Sequence, residues 1–437
     1  MPADRRIDSL LRRAQDAIAR RHLDDAEKIY GAVIEIDPDH TAALTFLASR
    51  MLESGRAAAA LAHYKRLTTL HAADPILLTG LGRAYFEGGN PAEAKRAFIE
   101  ALSLAPSAFI ARFRLAQAYM QLGDHYLALV HFYRAIGDAQ RQGRWLNDAT
   151  THPTLRRAVR AAMTFVDQGR FRMYSEILDA LRQEFGADQL TRVDKALRIY
   201  LHLQPPDYSD QRQQPAFLFF PDLPTLPYIE KAAMPWLEEL EAGASAVRQE
   251  MLEVHDAHCG FEPFLRFHDE KEARAYLRGD RGPGNWNAYF FYRHGEHYVE
   301  NASRCPETSA LLNCLPLLKI PKHGPEICFS VLTAGSHILP HRGVTNTRVV
   351  VHLPLLIPEN AALVVGGEKH VWKFGQAVAF DDTFEHEAWN RSAQNRVILL
   401  MDAWNPYLTE VERIALQRLV VAIEEFAEAA GQPLTLS

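Results

Sequence analysis

The chain lacks what would place it in a membrane or mark it for export. No apolar run approaches the ~20 residues that a membrane span needs. The stretch from Met1 to Arg21 is rich in Arg and Asp, where a secretory signal would carry an apolar core. Cysteine is scarce: Cys259, Cys305, Cys314 and Cys328 show no CxxC spacing and no framework pattern, so reduced structural thiols are expected. A strong charge of one sign is also missing. Residues 1–200 hold 28 Lys and Arg against 23 Asp and Glu, and the remainder holds 20 against 31. The basic excess at the front is interspersed with acids, as on solvated helix faces, and no nucleic-acid partner is expected. At 437 residues, 48% hydrophobic and 23% charged, the composition is that of a soluble protein with two or three domains, expected in the cytoplasm.

What is present first is a repeat. Residues 75–108, taken as a 34-residue unit, place Leu81, Gly82, Tyr85, Ala94, Phe98, Ala101 and Pro106 at fixed positions. A shift of 34 forward gives Leu115, Ala116, Tyr119, Ala128, Phe132 and Ala135. One shift back gives Leu47, Ala48, Met51, Ala60, Tyr64 and Leu67, and a second gives Ala14, Ala17, Ala26, Tyr30, Val33 and Pro38. Each unit reads as two antiparallel helices, with small residues where the helices approach and aromatics filling the gaps between units. Pro38 and Pro106 close second helices because proline cannot continue the ladder. The pattern resembles the tetratricopeptide repeat over residues 7–142. That resemblance implies an all-α solenoid whose concave face often receives a peptide or protein.

Residues 150–203 keep a helical period without the repeat consensus and read as capping helices. The density of Pro205, Pro206, Pro215, Pro221, Pro224 and Pro227 marks 204–227 as a linker. Beyond it, 228–437 reads as a second domain. Strands are expected at 287–292, 327–332, 348–356, 362–365, 377–380 and 396–401, with flanking helices at 228–253 and 410–429. Many short strands at this spacing argue for a sandwich or barrel, here a double-stranded β-helix, or jelly roll.

Two segments carry chemistry, Ser336 to Gly343 and Phe380 to Trp389. Each sets a histidine in a turn beside a strand, His341 and His386, 45 residues apart, and Arg396 heads an apolar strand ten residues further on. Neutral imidazoles suit Fe(II), and a β-scaffold leaves positions open for an oxo-acid and O2. A buried arginine would take the far carboxylate of that acid as a fork. Asp381 and Asp382 are expected to orient His386 or cap its turn. The segment Arg293-His294-Gly295-Glu296-His297 reads as a substrate-facing loop.

A carboxylate two residues after the first histidine, usual in such iron sites, is absent; Gly343 stands there. With Thr345 to Arg348, Val351-His352-Leu353, Asp402 to Pro406, Glu300 to Ala302 and Cys305 to Thr308, the region 285–413 resembles the aspartyl/asparaginyl β-hydroxylases, whose iron is held by two histidines. The resemblance implies Fe(II) on His341 and His386, with the distal carboxylate of 2-oxoglutarate on Arg396 and Ser330 and the iron-proximal carboxylate near His352. Val350 departs from the family, which often has arginine there, and Arg348 on the same strand face would take that carboxylate or grip substrate. The implied reaction converts 2-oxoglutarate and O2 to succinate and CO2 while hydroxylating the β-carbon of an Asp/Asn-type side chain. The repeats suit presentation of a peptide or protein substrate, and Arg281, Arg293 and Arg342 are candidates for gripping a carboxylate. Two other readings stay open. One is a halogenase, with chloride in the space that Gly343 leaves; the other is a repeat adaptor joined to a degenerate jelly roll.

Overall fold

The computed structural model describes residues 3–257, 260–267, 269–280, 282 and 284–432; Cys259 and Arg281 lie outside the described residues. Two compact units result, one of residues 3–170 with 426–432 and one of residues 171–425.

In the first unit eight helices run in pairs: Ala3–Ala19 with Leu23–Ile36, Thr41–Glu53 with Ala57–Leu70, Pro75–Glu87 with Pro91–Leu104, and Phe109–Gln121 with His125–Arg141. The 34-residue period is also written in the backbone. Arg21, Gly55, Gly89 and Gly123, each 34 residues from the next, turn the chain between paired helices with φ of 61°, 75°, 80° and 81°. Ala26, Ala60, Ala94 and Ala128 are all fully buried where helices meet. At Gly82 even a Cβ would come within 2.6 Å of the Phe98 ring, so the close approach is specific to glycine. Asp74 caps its helix by accepting from Ile76 and Leu77 N–H, with Pro75 at the first position, where no N–H is needed.

The stretch expected to cap the repeats divides instead. The 30-residue helix Arg156–Phe185 spans the boundary between units, packing Phe165 on Phe132 in the first. Helix Thr191–Tyr200 belongs to the second, where Arg192 forks onto Glu412 at 2.8 and 2.6 Å.

Among the described residues the second unit has thirteen strands: β1 (Tyr228–Ile229), β2 (Glu262–Pro263), β3 (Leu277–Gly279), β4 (Trp286–Arg293), β5 (Glu296–His297), β6 (Ile327–Leu332), β7 (Ser336–His341), β8 (Arg348–Leu356), β9 (Ala361–Val365), β10 (Glu368–His370), β11 (Val378–Phe380), β12 (His386–Asn390) and β13 (Arg396–Trp404). They form two antiparallel sheets, one ordered β1-β11-β8-β13-β6-β4-β2 with β5 on β4, the other β10-β9-β12-β7-β3. Alternation sorts the larger sheet's side chains into two cores. Tyr289, Phe291, Phe329, Val349, Val351, Leu399 and Met401 pack under helices Ala244–Asp256 and Pro306–Cys314. Their neighbours Phe290, Cys328, Val350, Ile398 and Leu400 meet Ile338, Leu363 and Ala388 of the smaller sheet. Helix Glu410–Ala429 matches its expected ends, whereas the helix expected from residue 228 begins only at Leu237. Tyr228 and Ile229 instead pair with Phe380 and Ala379. Among the described residues Cys305, Cys314 and Cys328 are free thiols, and no helix is long and apolar enough to cross a membrane.

The proline-dense segment 204–227 is no free linker. Its residues hydrogen-bond to the loops beside both histidines, at Gly343, Val344, Thr383 and Asp381. Proline excludes helix, but it leaves neighbouring N–H groups available to a non-helical partner, which is how this stretch is held.

Candidate functional site

His341 ends β7 and His386 begins β12, at strand ends rather than in free turns, and antiparallel pairing sets them directly opposite. Their ring centroids are 4.0 Å apart, tilted 50°. Each imidazole points its Nδ1 at the carbonyl two residues earlier, His341 at Leu339 (2.8 Å) and His386 at Phe384 (3.1 Å). A carbonyl can only accept, so Nδ1 carries the proton and Nε2 keeps its lone pair. Burial pushes both groups down to about 4, and His386 depresses His341 further, so both are neutral at pH 7. Two neutral imidazoles with matched tautomers fit a divalent metal. Both line one cavity of about 430 Å3.

Among the described residues no third His, Cys, Asp or Glu completes a metal cluster. The reason glycine stands at 343 is visible: a Cβ there would lie 2.2 Å from the Asp382 carboxylate. Asp382 is buried, accepts at Oδ2 from Arg348 Nη2 (2.9 Å) and has no partner at Oδ1. Arg348 also donates to Asp402. Against the downward push of burial, these two carboxylates hold its guanidinium above its ordinary value. Arg348 therefore faces the cavity as expected, but its charge is already spent on protein carboxylates and is not offered to a ligand. Asp381 caps its turn, accepting from Thr383 N (2.9 Å) and Oγ1 (2.5 Å); burial raises it to about 6.

Arg396 is 1% exposed. Among the described residues its only hydrogen bonds are weak, 3.5 Å from Nη1 to the carbonyl and to Oγ of Ser330, and its Nε has none. The two glutamates that precede it by nine and eleven residues are engaged elsewhere, Glu387 with His337 at 2.6 Å and Glu385 with Arg342 at 3.6 Å. Burial pushes this guanidinium down to about 9, still charged at neutral pH. A buried charge without a counter-ion is costly unless a ligand supplies one. Ser330 accepts from Trp286 Nε1 at 2.8 Å. His352 is buried with Nδ1 unpartnered, and burial and then Arg396 hold it well below its ordinary value. Arg396, Ser330, His352, His341 and His386 thus line the same cavity. So do Arg293 and His294, at the tip of a hairpin whose turn, His294-Gly295, has φ of 49° and 75°.

Some neighbours carried no signal in the sequence. Tyr276 lies 4.6 Å from the His341 ring, and Trp372 lies 5.1 Å from the Arg396 guanidinium. Neither sits in a motif. Asp402 heads the run Asp402 to Pro406 picked out in the sequence, but its place opposite Val350, within reach of Arg348, follows only from the β13–β8 register.

The family model for aspartyl/asparaginyl beta-hydroxylase matches residues 241–406, and a tetratricopeptide-repeat model matches 11–75 and 79–143. Aspartate beta-hydroxylase domain-containing protein 2 of Mus musculus is 33% identical over 55% of this chain and 68% of its own length. Human aspartyl/asparaginyl beta-hydroxylase is 27% identical over 80% of this chain and 41% of its own. The ornithine lipid ester-linked acyl 2-hydroxylase of Rhizobium tropici is 30% identical over 41% and 61%. The chain spans about two thirds or less of the length of these curated relatives. With this match to the family's model and its hydroxylase relatives, and with its two opposed histidines, the chain belongs to the aspartyl/asparaginyl β-hydroxylase family.

Proposed function

We propose that the protein is an Fe(II)- and 2-oxoglutarate-dependent dioxygenase that hydroxylates the β-carbon of an Asp/Asn-type side chain in a peptide, protein or amino acid, using a double-stranded β-helix built from its two sheets. The observation that carries this reading is Arg396: a buried, uncompensated guanidinium facing the cavity that both histidines line. His341 and His386 would hold the metal through Nε2. Arg396, with Ser330 beside it, would take the distal carboxylate of 2-oxoglutarate, and His352 would lie near the other end. Bound iron with 2-oxoglutarate and O2 supplies the oxidising chemistry, leaving succinate and CO2. The apolar walls at Phe380, Ile398 and Leu400 exclude water from it. Arg348 serves differently from the expectation, fixing Asp382 beside Gly343. A carboxylate in that space argues against a chloride there, and hence against halogenation.

The repeat array would present a polypeptide substrate. The test is succinate formation from 2-oxoglutarate by the purified chain under air with Fe(II) and ascorbate. Turnover that disappears in His341→Ala and in Arg396→Ala is expected. Absence of both turnover and Fe(II)-dependent 2-oxoglutarate binding would overturn the reading and leave a repeat adaptor. The Rhizobium relative is named for an acyl 2-hydroxylase, so acyl lipids belong beside Asp- and Asn-containing peptides in the substrate panel. Stimulation by the lipids alone would replace the side-chain assignment.

A further inference from the structure

We infer that residues 213–218, which precede the family-matched region 241–406, are part of the metal site: they tie the loop after His341 to the loop before His386 and so set the separation of the two ligands. Gln213, 2% exposed, donates from Nε2 to Asp381 Oδ2 at 2.6 Å, and Gln214 N–H bonds the carbonyl of Thr383 at 3.1 Å. His386 follows three residues later. On the other loop, Ala216 N–H bonds the carbonyl of Gly343 at 3.1 Å and Leu218 N–H bonds that of Val344 at 3.0 Å. His341 lies two residues before Gly343. A single short segment thus grips both loops with backbone groups, and its far end is locked by Asn346, which exchanges two hydrogen bonds with Phe220 at 2.7 and 2.8 Å. The segment is also a wall of the site, since Phe217 and Leu218 line the cavity.

The physical need for such a strap follows from the ligand count. With two histidines and, among the described residues, no third His, Cys, Asp or Glu beside them, few side-chain bonds would fix the metal, so the spacing of the two imidazoles has to come from their supports. Strand pairing holds His341 opposite His386, but the register shifts before the next pair, Ile338 opposite Ala388: β7 carries one residue more than β12 there, a bulge that loosens the ladder beside the two histidines. The strap restores on the loop side what the bulge gives up on the strand side.

This inference rests on the reading that His341 and His386 bind a metal, and the test separates the two. Co(II) is titrated into the full-length apo-protein, with its affinity and visible d–d absorption recorded beside a urea unfolding curve. Gln213→Met keeps length and packing but removes the amide, and Ala216→Pro removes the backbone donor to Gly343 by closing a ring on that nitrogen. Each is expected to weaken Co(II) binding by about tenfold and to change the absorption band at concentrations where the protein remains folded. Unchanged affinity and band in both variants would overturn the strap. So would a lowered urea midpoint in protein whose folded fraction binds Co(II) as the unsubstituted chain does, because that is a stability role alone. If the unsubstituted chain binds no Co(II), the metal reading itself falls and the strap with it.

Discussion

The two units treat buried charge in opposite ways. In the repeats the interior is alanine, leucine and aromatic rings whose neighbours recur at the 34-residue period. Buried charge is confined to Arg112 and Asp138, the latter ringed by Arg134 and Arg141. In the second unit Arg348, Asp381, Asp382, Arg396, Asp402 and His352 are buried or nearly so around one cavity, with partners brought from far away in sequence. Arg348 reaches Asp382 and Asp402 across 34 and 54 residues, and Gln213 reaches Asp381 across 168. The first arrangement lowers free energy at every position; the second spends it. A fold that keeps Arg396 buried with no counter-ion among the described residues gives up stability for a place that could hold an anion.

That contrast can be broken most sharply at Arg396. Arg396→Met is expected to cut 2-oxoglutarate turnover by about 100-fold or more, through loss of a charge-assisted fork. It should also raise stability by about 1–4 kcal/mol in a urea titration, since an unpaired buried charge is replaced by an apolar side chain. If stability falls instead, the guanidinium has a counter-ion and the seat for the cosubstrate is lost. Arg348→Met should do the reverse. It strands Asp382 and Asp402, both buried, and is expected to cost about 3–5 kcal/mol in the same titration. A loss below about 1 kcal/mol would mean that these carboxylates are held protonated. Next in size is a pH effect at Asp381. Its folded value, about 6, lies above the ordinary 3.8, so the folded state binds the proton more tightly. Stability from this group is present below the ordinary value and is lost as pH rises through 6, about 3 kcal/mol in all. Asp381→Asn should flatten the slope between pH 4 and 6, and an unaltered slope assigns it to other groups.

How much of this was legible follows the same division. The repeats were readable because their contacts are local and periodic. Runs such as Ile327–Leu332 and Arg348–Leu356 were readable because both faces of a central strand are buried and the run is apolar apart from Ser330 in the first and Arg348 and His352 in the second. The two strands that carry His341 and His386 were not. Ser336–His341 contains a proline and His386–Asn390 alternates with charge, so neither looks like a strand until its partners are known. His341, His386, Arg396, Ser330 and His352 were placed by motif, and they meet in one cavity. Arg348 was assigned by strand face alone. The face was right, but the acids that claim its charge come from elsewhere, Asp402 through the β13–β8 register and Asp382 from the loop after β11. The segment 204–227 failed for a related reason. Proline content says which regular structures are forbidden, and it is silent about hydrogen bonds to loops more than a hundred residues away.

The smallest expected effects test whether the repeat unit obeys its simple rule throughout. Glycine inside a helix ordinarily costs about 1 kcal/mol relative to alanine, so Gly→Ala should stabilise wherever a methyl group has room. Gly31, in helix Leu23–Ile36, has nothing within 4 Å of the position a Cβ would take, and Gly31→Ala is expected to add about 0.5–1 kcal/mol. Gly82 has the same backbone setting in helix Pro75–Glu87, but the Phe98 ring stands 2.6 Å from that position and is itself fully buried, with nowhere to withdraw. There the overpacking cost of about 1–3 kcal/mol outweighs the helix gain, and Gly82→Ala should destabilise. Two identical substitutions with opposite signs would show that packing between the paired helices, rather than helix propensity, sets the repeat consensus. Equal signs would mean that the ring moves aside and that the close approach at Gly82 is not what its position in the 34-residue pattern encodes.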